Sequence, residues 1–277
     1  KPRYIRTIKE FINLFGDDRD VFVLSAPGRT EVCGNHTDHN NGKVLAASIN
    51  LDAIAIAAKR DDMKINEKSE GHGLNEVDIS TLSPDEAEYG RSSSMIKGVA
   101  AGLKEKGYEI GGFDACTTSD VMGGSGLSSS AAFEVLIATV INHLYNDGKI
   151  DAVTVAKAAQ FSENVYFGKP SGLLDQMASS VGTFVTIDFK DTANPVIKKV
   201  DFDFAKSGYS LCIVDTHGNH SDLTDDYAAV RGEMEAVAKA MGKNVLREVE
   251  YEEFFQSLDV LKEKVNDRAL LRAFHFF

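Results

Sequence analysis

The chain has 277 residues, of which 43% are hydrophobic, and 30 basic residues against 42 acidic ones give it a formal net charge of −12. This charge argues against a polyanion such as DNA as a partner, because like charges repel over long range. The three cysteines lie far apart without a zinc-site or disulfide spacing, which predicts a reducing, cytoplasmic location. No apolar run is long enough to predict a membrane-spanning helix.

In the N-terminal part of the chain, segments with apolar residues at helix or strand spacing alternate with polar segments. Apolar residues at helical spacing predict a helix over Tyr4 to Phe15, and a strand is expected at Val21 to Leu24. The Ser-Ala-Pro-Gly-Arg sequence at 25–29 is expected to form a turn that presents its arginine at the end of this strand. One or two strands are predicted over Val44 to Lys59, whereas the polar stretch 61–89 is expected to be irregular.

A polar segment, Gly34 to Gly42, contains no large apolar side chain and reads Gly-Asn-His-Thr-Asp-His-Asn-Asn-Gly. So many donors and acceptors are typical of a surface loop or of a site that grips a polyhydroxyl ligand. His36, Asp38 and His39 could also suggest a metal, but the two histidines have no partner at a recognised zinc spacing.

The stretch Val121 to Ala132 is rich in glycine and serine and runs directly into the apolar segment Phe133 to Leu144. This pattern predicts a small-residue loop that leads into a buried helix, rather than a flexible linker. Glycines allow close approach of the backbone, and the first amides of a helix attract an anion, most often phosphate. The loop lacks the P-loop lysine and the third glycine of the dinucleotide fingerprint. It is therefore expected to hold phosphate with amides and hydroxyls.

The C-terminal half is predicted to contain both helices and strands. The Gly-Lys-Pro-Ser-Gly break at 168–172 separates a helix that Asp151 caps, and that carries Glu163, from a helix that begins at Leu173. Asp175 lies in the first turn of this second helix, where the dipole favours a carboxylate. The other predicted elements are a helix from Met95 to about Gly107, strands at Phe113–Thr118, Phe184–Phe189, Val196–Phe202 and Leu211–Asp215, and helices at Thr224–Met241 and Tyr251–Phe277.

Four features suggest one chemistry: Arg29, the polar loop, the glycine-serine loop, and the two carboxylates Glu163 and Asp175 that flank the break. Phosphoryl transfer to a sugar hydroxyl needs an anion cradle, a hydroxyl and a carboxylate for Mg²⁺, a group that orients or deprotonates the nucleophile, and a cation for developing charge. The four features together supply the parts that such a reaction needs.

The chain resembles the galactokinases, which belong with the homoserine, mevalonate and phosphomevalonate kinases to the GHMP family. Pro27-Gly28-Arg29 and Gly34 to Asn40 are similar to the first motif, which is specific to galactokinases. Gly124 to Ala131 is similar to the second motif, which the whole family shares. The sugar-kinase segment ending in Asp-Gln resembles Gly168 to Gln176, and a downstream tyrosine and arginine resemble Tyr227 and Arg231.

The resemblance implies a role for each matching residue, with ATP and Mg²⁺ as cofactors. Asp175 would act as the base or charge-orienting residue beside the sugar C1 hydroxyl, with Arg29 beside the reacting groups. Ser130 and Glu163 would hold the metal. The residues implied for sugar binding are Asn35, His36, Asp38, Gly172 and Tyr227, and those implied for ATP binding are Gly123, Gly124, Ser125, Gly126, Leu127, Ser128, Ser129 and Ser130.

The chain departs from the family pattern in the sugar and adenine regions. Asn35 stands where the family has glutamate and Glu31 where it has asparagine, and we hypothesise a compensating swap that keeps one carboxylate and one amide. His39 replaces a tyrosine and Met122 a proline. The aromatic residues that the family carries beside the adenine are missing from Ser92 to Met95, which leaves the nucleotide preference open.

The fold implied by the resemblance is α+β, the two-domain GHMP-kinase fold. Residues 1–190 are expected to form an N-terminal domain like ribosomal protein S5 domain 2, and residues 191–277 the start of a ferredoxin-like domain. The apolar end formed by Phe274, Phe276 and Phe277 suggests a truncated chain, with the remainder and the third glycine-rich motif beyond it.

The predicted function is ATP-dependent phosphorylation of galactose to galactose 1-phosphate. The alternatives are a kinase for a related sugar, such as N-acetylgalactosamine or arabinose, and a sensor that binds galactose and ATP without turnover. The expected partners are the small-molecule sugar and ATP, with neither nucleic acid nor membrane.

Overall fold

The computed structural model describes residues 1–214 and 224–277, with the backbone alone for Phe204, Ala205, Thr224, Asp225, Tyr227 and Ala228. These residues form two compact units. The first unit contains residues 1–29 and 48–182, and the second contains residues 30–47 and 183–277. No helix in the described part of the chain is long and apolar enough to cross a membrane.

The strands are β1 (Phe22–Cys33), β2 (Lys43–Lys59), β3 (Lys64–Ser69), β4 (Leu74–Asp78), β5 (Phe113–Ser119), β6 (Phe184–Asp188) and β7 (Val196–Val200). In the first unit, β5 pairs antiparallel with the later part of β2 and parallel with β3, and β3 pairs with β4 in an antiparallel hairpin. In the second unit, the beginning of β2 pairs with β6, and β6 pairs with β7, both antiparallel. Strand β1 pairs with β2.

The helices of the first unit are α1 (Pro2–Phe15), α2 (Ser92–Glu105), α3 (Ser129–Tyr145), α4 (Ala152–Phe161) and α5 (Leu174–Val181). Asp151 caps α4 as predicted, since its side chain accepts hydrogen bonds from the amides of Val153 and Thr154. A π-helical turn, Ser162–Tyr166, continues α4. The core of this unit packs α2, α3 and α4 on the sheet through fully buried side chains such as Ile96, Phe113 and Leu136.

The helices of the second unit are α6 (Phe204–Ser207), α7 (Thr224–Ala240), α8 (Tyr251–Gln256), α9 (Leu258–Leu261) and α10 (Asp267–Phe276). Their core contains Val237 and Phe254, both fully buried. The Phe277 ring lies 4.8 Å from the Phe254 ring between centroids, so part of the apolar C-terminal segment packs inside this unit.

Four predicted elements differ in the structure. The helix predicted over Tyr251 to Phe277 is divided into α8, α9 and α10. The turn expected at 25–29 is wrong, because β1 continues through it and Pro27 retains a partner for its carbonyl in the Ser179 hydroxyl at 2.7 Å. The stretch expected to be irregular contains the β3–β4 hairpin, whose polar side chains are satisfied by cross-strand hydrogen bonds. Residues 211–214 form no strand, and Asp215 lies outside the described residues.

The domain boundary expected at residues 190 and 191 falls between β6 and β7, which pair inside the second unit. The segment 30–47, expected in the N-terminal domain, also belongs to this unit. The reason is that β2 is long enough to pair with β6 at its beginning and with β5 towards its end. The assignment of two functional domains stays a prediction.

Candidate active site

The glycine-serine loop leads into the first turn of α3, as the sequence predicts. Gly124 and Gly126 have φ angles of 71° and 75°, which a residue with a side chain rarely adopts. Ser128, at the N-cap of α3, also has a positive φ of 59°, and its side chain makes no capping hydrogen bond to the helix. The first amides of this helix of 17 residues are therefore not used by their own N-cap side chain. They can serve an anionic ligand.

Gly28 and Arg29 of β1 lie directly against this loop. The Arg29 amide donates to the Leu127 carbonyl at 3.1 Å, and a Cβ on Gly28 would lie only 2.9 Å from the same oxygen. A glycine is needed at this position because the backbones approach so closely. The Arg29 guanidinium, on a residue only 6% exposed, donates to the Gly126 carbonyl at 2.6 Å.

Asp175, in the first turn of α5, is held by two donors from these elements. Its Oδ1 accepts from Arg29 Nε at 2.7 Å, and its Oδ2 accepts from the Ser128 hydroxyl. The carboxylate side chain remains 35% exposed. A carboxylate that is oriented by a cation and a hydroxyl, and is open on one side, can orient a substrate hydroxyl or accept its proton.

Glu163 lies in the π-helical turn and is 2% exposed. Its Oε1 accepts from Ser130 Oγ at 3.0 Å, and its Oε2 accepts from Gln176 Nε2 at 2.7 Å. A hydroxyl and a carboxylate oxygen are hard donors that suit Mg²⁺, which typically uses few protein ligands together with substrate phosphates. The donor set formed by Ser130 and Glu163 therefore fits the implied metal, and π-helical turns are often found at functional sites.

Three further residues complete this cluster, and their roles were not predicted. Lys169 Nζ donates to Glu163 Oε1 at 2.8 Å, and the buried Gln176 Nε2 also lies 3.3 Å from Glu134 Oε2. Burial, followed by the negative charge of Glu163, raises the pKa of Glu134 well above its usual range. The signal that could have identified Glu134 is its spacing, since it lies four residues after Ser130 on one face of α3.

The polar loop belongs to the second unit and is held by hydrogen bonds to other segments of that unit. Asp38 begins a 3-10 turn, and the fully buried Asn40 accepts from the Leu246 amide at 3.1 Å through its side-chain oxygen. The Asn35 carbonyl lies 2.9 Å from a ring nitrogen of His275. Residues 35 and 36, with residues of α7 and α10, line a cavity of about 360 Å³.

The predicted site residues thus fall into two groups. The first unit contains Arg29, the loop from Gly123 to Ser130, Glu163, Gly172 and Asp175. Direct contacts join the predicted catalytic residues, Arg29 and Asp175, into one cluster and the predicted metal ligands, Ser130 and Glu163, into a second. Asn35, His36 and Asp38 belong to the second unit. The side chain of Tyr227 lies outside the described residues. The proposed exchange of roles between Glu31 and Asn35 stays a prediction.

The comparisons with known proteins first define the class. Residues 94–183 match the family model of the GHMP kinases N terminal domain. The chain also resembles the crystal structure of Methanococcus jannaschii mevalonate kinase, with a TM-score of 0.58 and 13% identity over 80% of this chain and 72% of the other. This likeness shows the fold, which is the α+β fold of the GHMP kinases.

A narrower set of matches identifies the family. Residues 9–59 match the galactokinase galactose-binding signature. A Streptomyces coelicolor galactokinase is 33% identical over 95% of this chain and 68% of its own length, and one from Clostridium tetani is 32% identical over 96% and 67%. The structure of Lactococcus lactis galactokinase complexed with galactose superposes with a TM-score of 0.79 at 27% identity, covering 99% of this chain and 70% of the other. The chain belongs to the galactokinase family.

Proposed function

We propose that this chain catalyses the ATP-dependent phosphorylation of galactose at its C1 hydroxyl, giving galactose 1-phosphate. The observation that carries the proposal is the position of Asp175, which Arg29 and Ser128 hold at the end of the glycine-serine loop, beside the N-cap of α3. Membership of the galactokinase family supports both the reaction and the sugar.

The residues of the first unit would divide the chemistry among them. Asp175 would orient the C1 hydroxyl or accept its proton, which typically contributes a factor of about 10² to 10⁴ in rate. Arg29 would keep this carboxylate in place and offset charge beside the reacting groups. Amides from Gly123 to Ser130 would bind the phosphates of ATP.

Ser130 and Glu163 would hold Mg²⁺, which neutralises charge on the phosphate oxygens when it is bound. The distance of 3.0 Å between Ser130 Oγ and Glu163 Oε1 supports this assignment, because one cation could contact both oxygens. For the sugar, we propose that Asn35, His36 and Asp38 contribute polar contacts, together with Gly172 and Tyr227.

The three free thiols support a reducing, cytoplasmic location.

The test is to incubate the full chain with Mg²⁺-ATP and a panel of sugars, and to detect sugar phosphates by mass spectrometry. We expect galactose 1-phosphate, and a decrease in kcat of about 10² to 10⁴ in Asp175→Asn. Asp147→Asn is the matched control, because Asp147 forms an exposed ion pair with Lys149 and should leave kcat unchanged.

Each other outcome contradicts the proposal in a different way. Binding of galactose and ATP without any phosphorylated product would indicate a sensor. Phosphorylation of N-acetylgalactosamine or arabinose, but not of galactose, would indicate that residues such as Asn35 and His39 have changed the specificity. Full activity in Asp175→Asn would mean that the reaction occurs but does not need that carboxylate.

A further inference from the structure

Lys169 lies in the break between the π-helical turn and α5, and neither the glycine-serine loop nor the reaction described above uses it. Its Nζ is 2.8 Å from Glu163 Oε1, the oxygen that also accepts from Ser130. The second oxygen of Glu163 faces the interior and is bound by Gln176. The lysine therefore binds the same carboxylate oxygen that the proposed metal site uses.

The exposure of the two partners differs sharply. The Glu163 side chain is 3% exposed, whereas the Lys169 side chain is 57% exposed. A buried carboxylate needs compensation for its lost hydration, and the ammonium supplies a positive charge from the solvent side. Because more than half of the lysine side chain is in contact with solvent, its flexible four-carbon stem can turn without opening the core.

Lys169 stays protonated beside Glu163. Burial by itself would lower the pKa of Lys169, but the charge of Glu163 and the hydrogen bond to it raise the pKa overall. The ammonium is therefore present at neutral pH. It lies one contact away from Ser130, in the first turn of α3, where the helix dipole also attracts an anion.

A nucleotide would bring several negative charges to this point of a chain whose net charge is −12. Arg29 contacts Asp175 and the Gly126 carbonyl, so its positive charge is already beside one carboxylate. Lysine is a common phosphate ligand, acting as a point charge on a flexible stem. The glycine-serine loop has no lysine of its own, and a lysine from a distant segment of the chain can serve the same purpose.

We propose that Lys169 is a phosphate-binding residue that exchanges partners: its ammonium pairs with Glu163 while the site is empty, and moves to the nucleotide phosphate oxygens when a divalent cation binds Glu163. This inference rests on the proposed function only in taking a nucleotide and a divalent cation as the ligands. It would add a cation to the amides and hydroxyls that are expected to hold the phosphates.

The experiment measures two affinities on the full chain without sugar. Calorimetry gives the Kd of a non-hydrolysable imido analogue of ATP at saturating Mg²⁺, and electron paramagnetic resonance gives the Kd of Mn²⁺ alone. In Lys169→Met we expect the nucleotide Kd to rise about 10- to 100-fold, the effect of losing a charge-assisted hydrogen bond. The Mn²⁺ Kd should fall, because the competitor for Glu163 is gone.

Three further variants make the result specific. Lys169→Arg keeps the charge and should retain most of the nucleotide affinity, and Lys169→Gln should behave as Lys169→Met does. Lys149→Met removes a lysine from an exposed ion pair in the same unit and should change neither affinity. Circular dichroism melts check that each variant is folded.

Two results would overturn the proposal. An unchanged nucleotide affinity in Lys169→Met and Lys169→Gln would mean that the lysine only balances the charge of Glu163. Weaker binding of both nucleotide and Mn²⁺ would mean that it only maintains the geometry of Glu163. Neither result bears on the choice of sugar, since the assay contains none, and a failure to form galactose 1-phosphate would leave the Lys169 assignment intact.

Discussion

Two buried glutamates in the first unit, Glu67 and Glu163, allow a carboxylate in a structural setting to be compared with the proposed metal ligand. Glu67, on β3, is fully buried and accepts hydrogen bonds from three neutral side chains, those of Ser69, Asn75 and Thr117, at 2.6 to 2.8 Å. Its partners lie on or beside the strands of the sheet, and each is fixed by the pairing of β3 with β4 or β5. A carboxylate with this environment needs no ligand.

Glu163 is also buried and also accepts from neutral side chains, but its backbone setting and its charged neighbours differ. It lies in a π-helical turn rather than in a paired strand, it is balanced by the exposed and charged Lys169, and a second buried carboxyl group, Glu134, lies on the other side of Gln176. The positive charge beside Glu163 is on an exposed side chain, whereas the donors around Glu67 are held by strand pairing. Under the exchange proposed for Lys169, an exposed counter-charge, more than burial, distinguishes a carboxylate that binds a ligand from one that supports the fold.

The largest effect is expected for Glu163→Gln, which keeps the shape of the side chain and removes the charge. Loss of the proposed metal ligand should lower kcat by a factor of about 10² to 10⁴, because a bound metal ion contributes several kcal/mol to the transition state. Steady-state kinetics with Mg²⁺-ATP and galactose measure the loss, and a thermal melt should show a folded protein. Activity close to that of the parent chain would mean that Glu163 is not a metal ligand. The contrast between Glu163 and Glu67 would then be wrong.

An intermediate effect is expected for Glu67→Gln, which should lower the stability of the protein rather than its kcat. Glutamine removes the negative charge that these three donors serve, and hydrogen bonds to a charged group contribute about 1.5 to 3 kcal/mol to the free energy of unfolding. Urea denaturation measures this loss, and kcat should change little. If Glu67→Gln lowered kcat as much as Glu163→Gln while the protein stayed stable, the division into structural and functional glutamates would be wrong.

The smallest effect is expected for Glu134→Gln and concerns pH. Because burial and the charge of Glu163 raise the pKa of Glu134 well above its usual range, the native state binds a proton that the unfolded chain releases. That contribution to stability is complete below the unfolded pKa and is lost as pH rises towards the folded pKa. Glutamine imitates the protonated form, so Glu134→Gln should lose less stability than the parent between pH 5 and pH 8.

Urea midpoints for both proteins at the two pH values measure this difference. The matched control is Glu67→Gln, whose destabilisation should not reproduce the smaller pH dependence of Glu134→Gln. An identical pH dependence for Glu134→Gln and the parent chain would mean that Glu134 is ionised in the native state. The second carboxyl group would then add a full negative charge beside Glu163.

Much of the site could be predicted from local sequence. The glycine-serine loop and α3 follow from small residues before an apolar helix, and the cap at Asp151 and the position of Asp175 in the first turn of α5 follow from helix-end preferences. The order of the motifs was sufficient to predict the family, which the comparisons confirm. These features depend on residues close together in the chain, so near-neighbour rules reach them.

The partners of the charged groups were decided by tertiary structure. Arg29 meets Asp175 across 146 positions of sequence, and Glu67 meets Thr117 across 50. Lys169 and Glu163 are close in sequence, but their contact depends on a π-helical turn that no local pattern predicted. The sequence by itself determined which side chains were available and which backbone would carry them. Strand pairing and helix packing decided which distant side chains meet, because groups far apart in sequence form a hydrogen bond only where the fold brings the two atoms within about 3 Å.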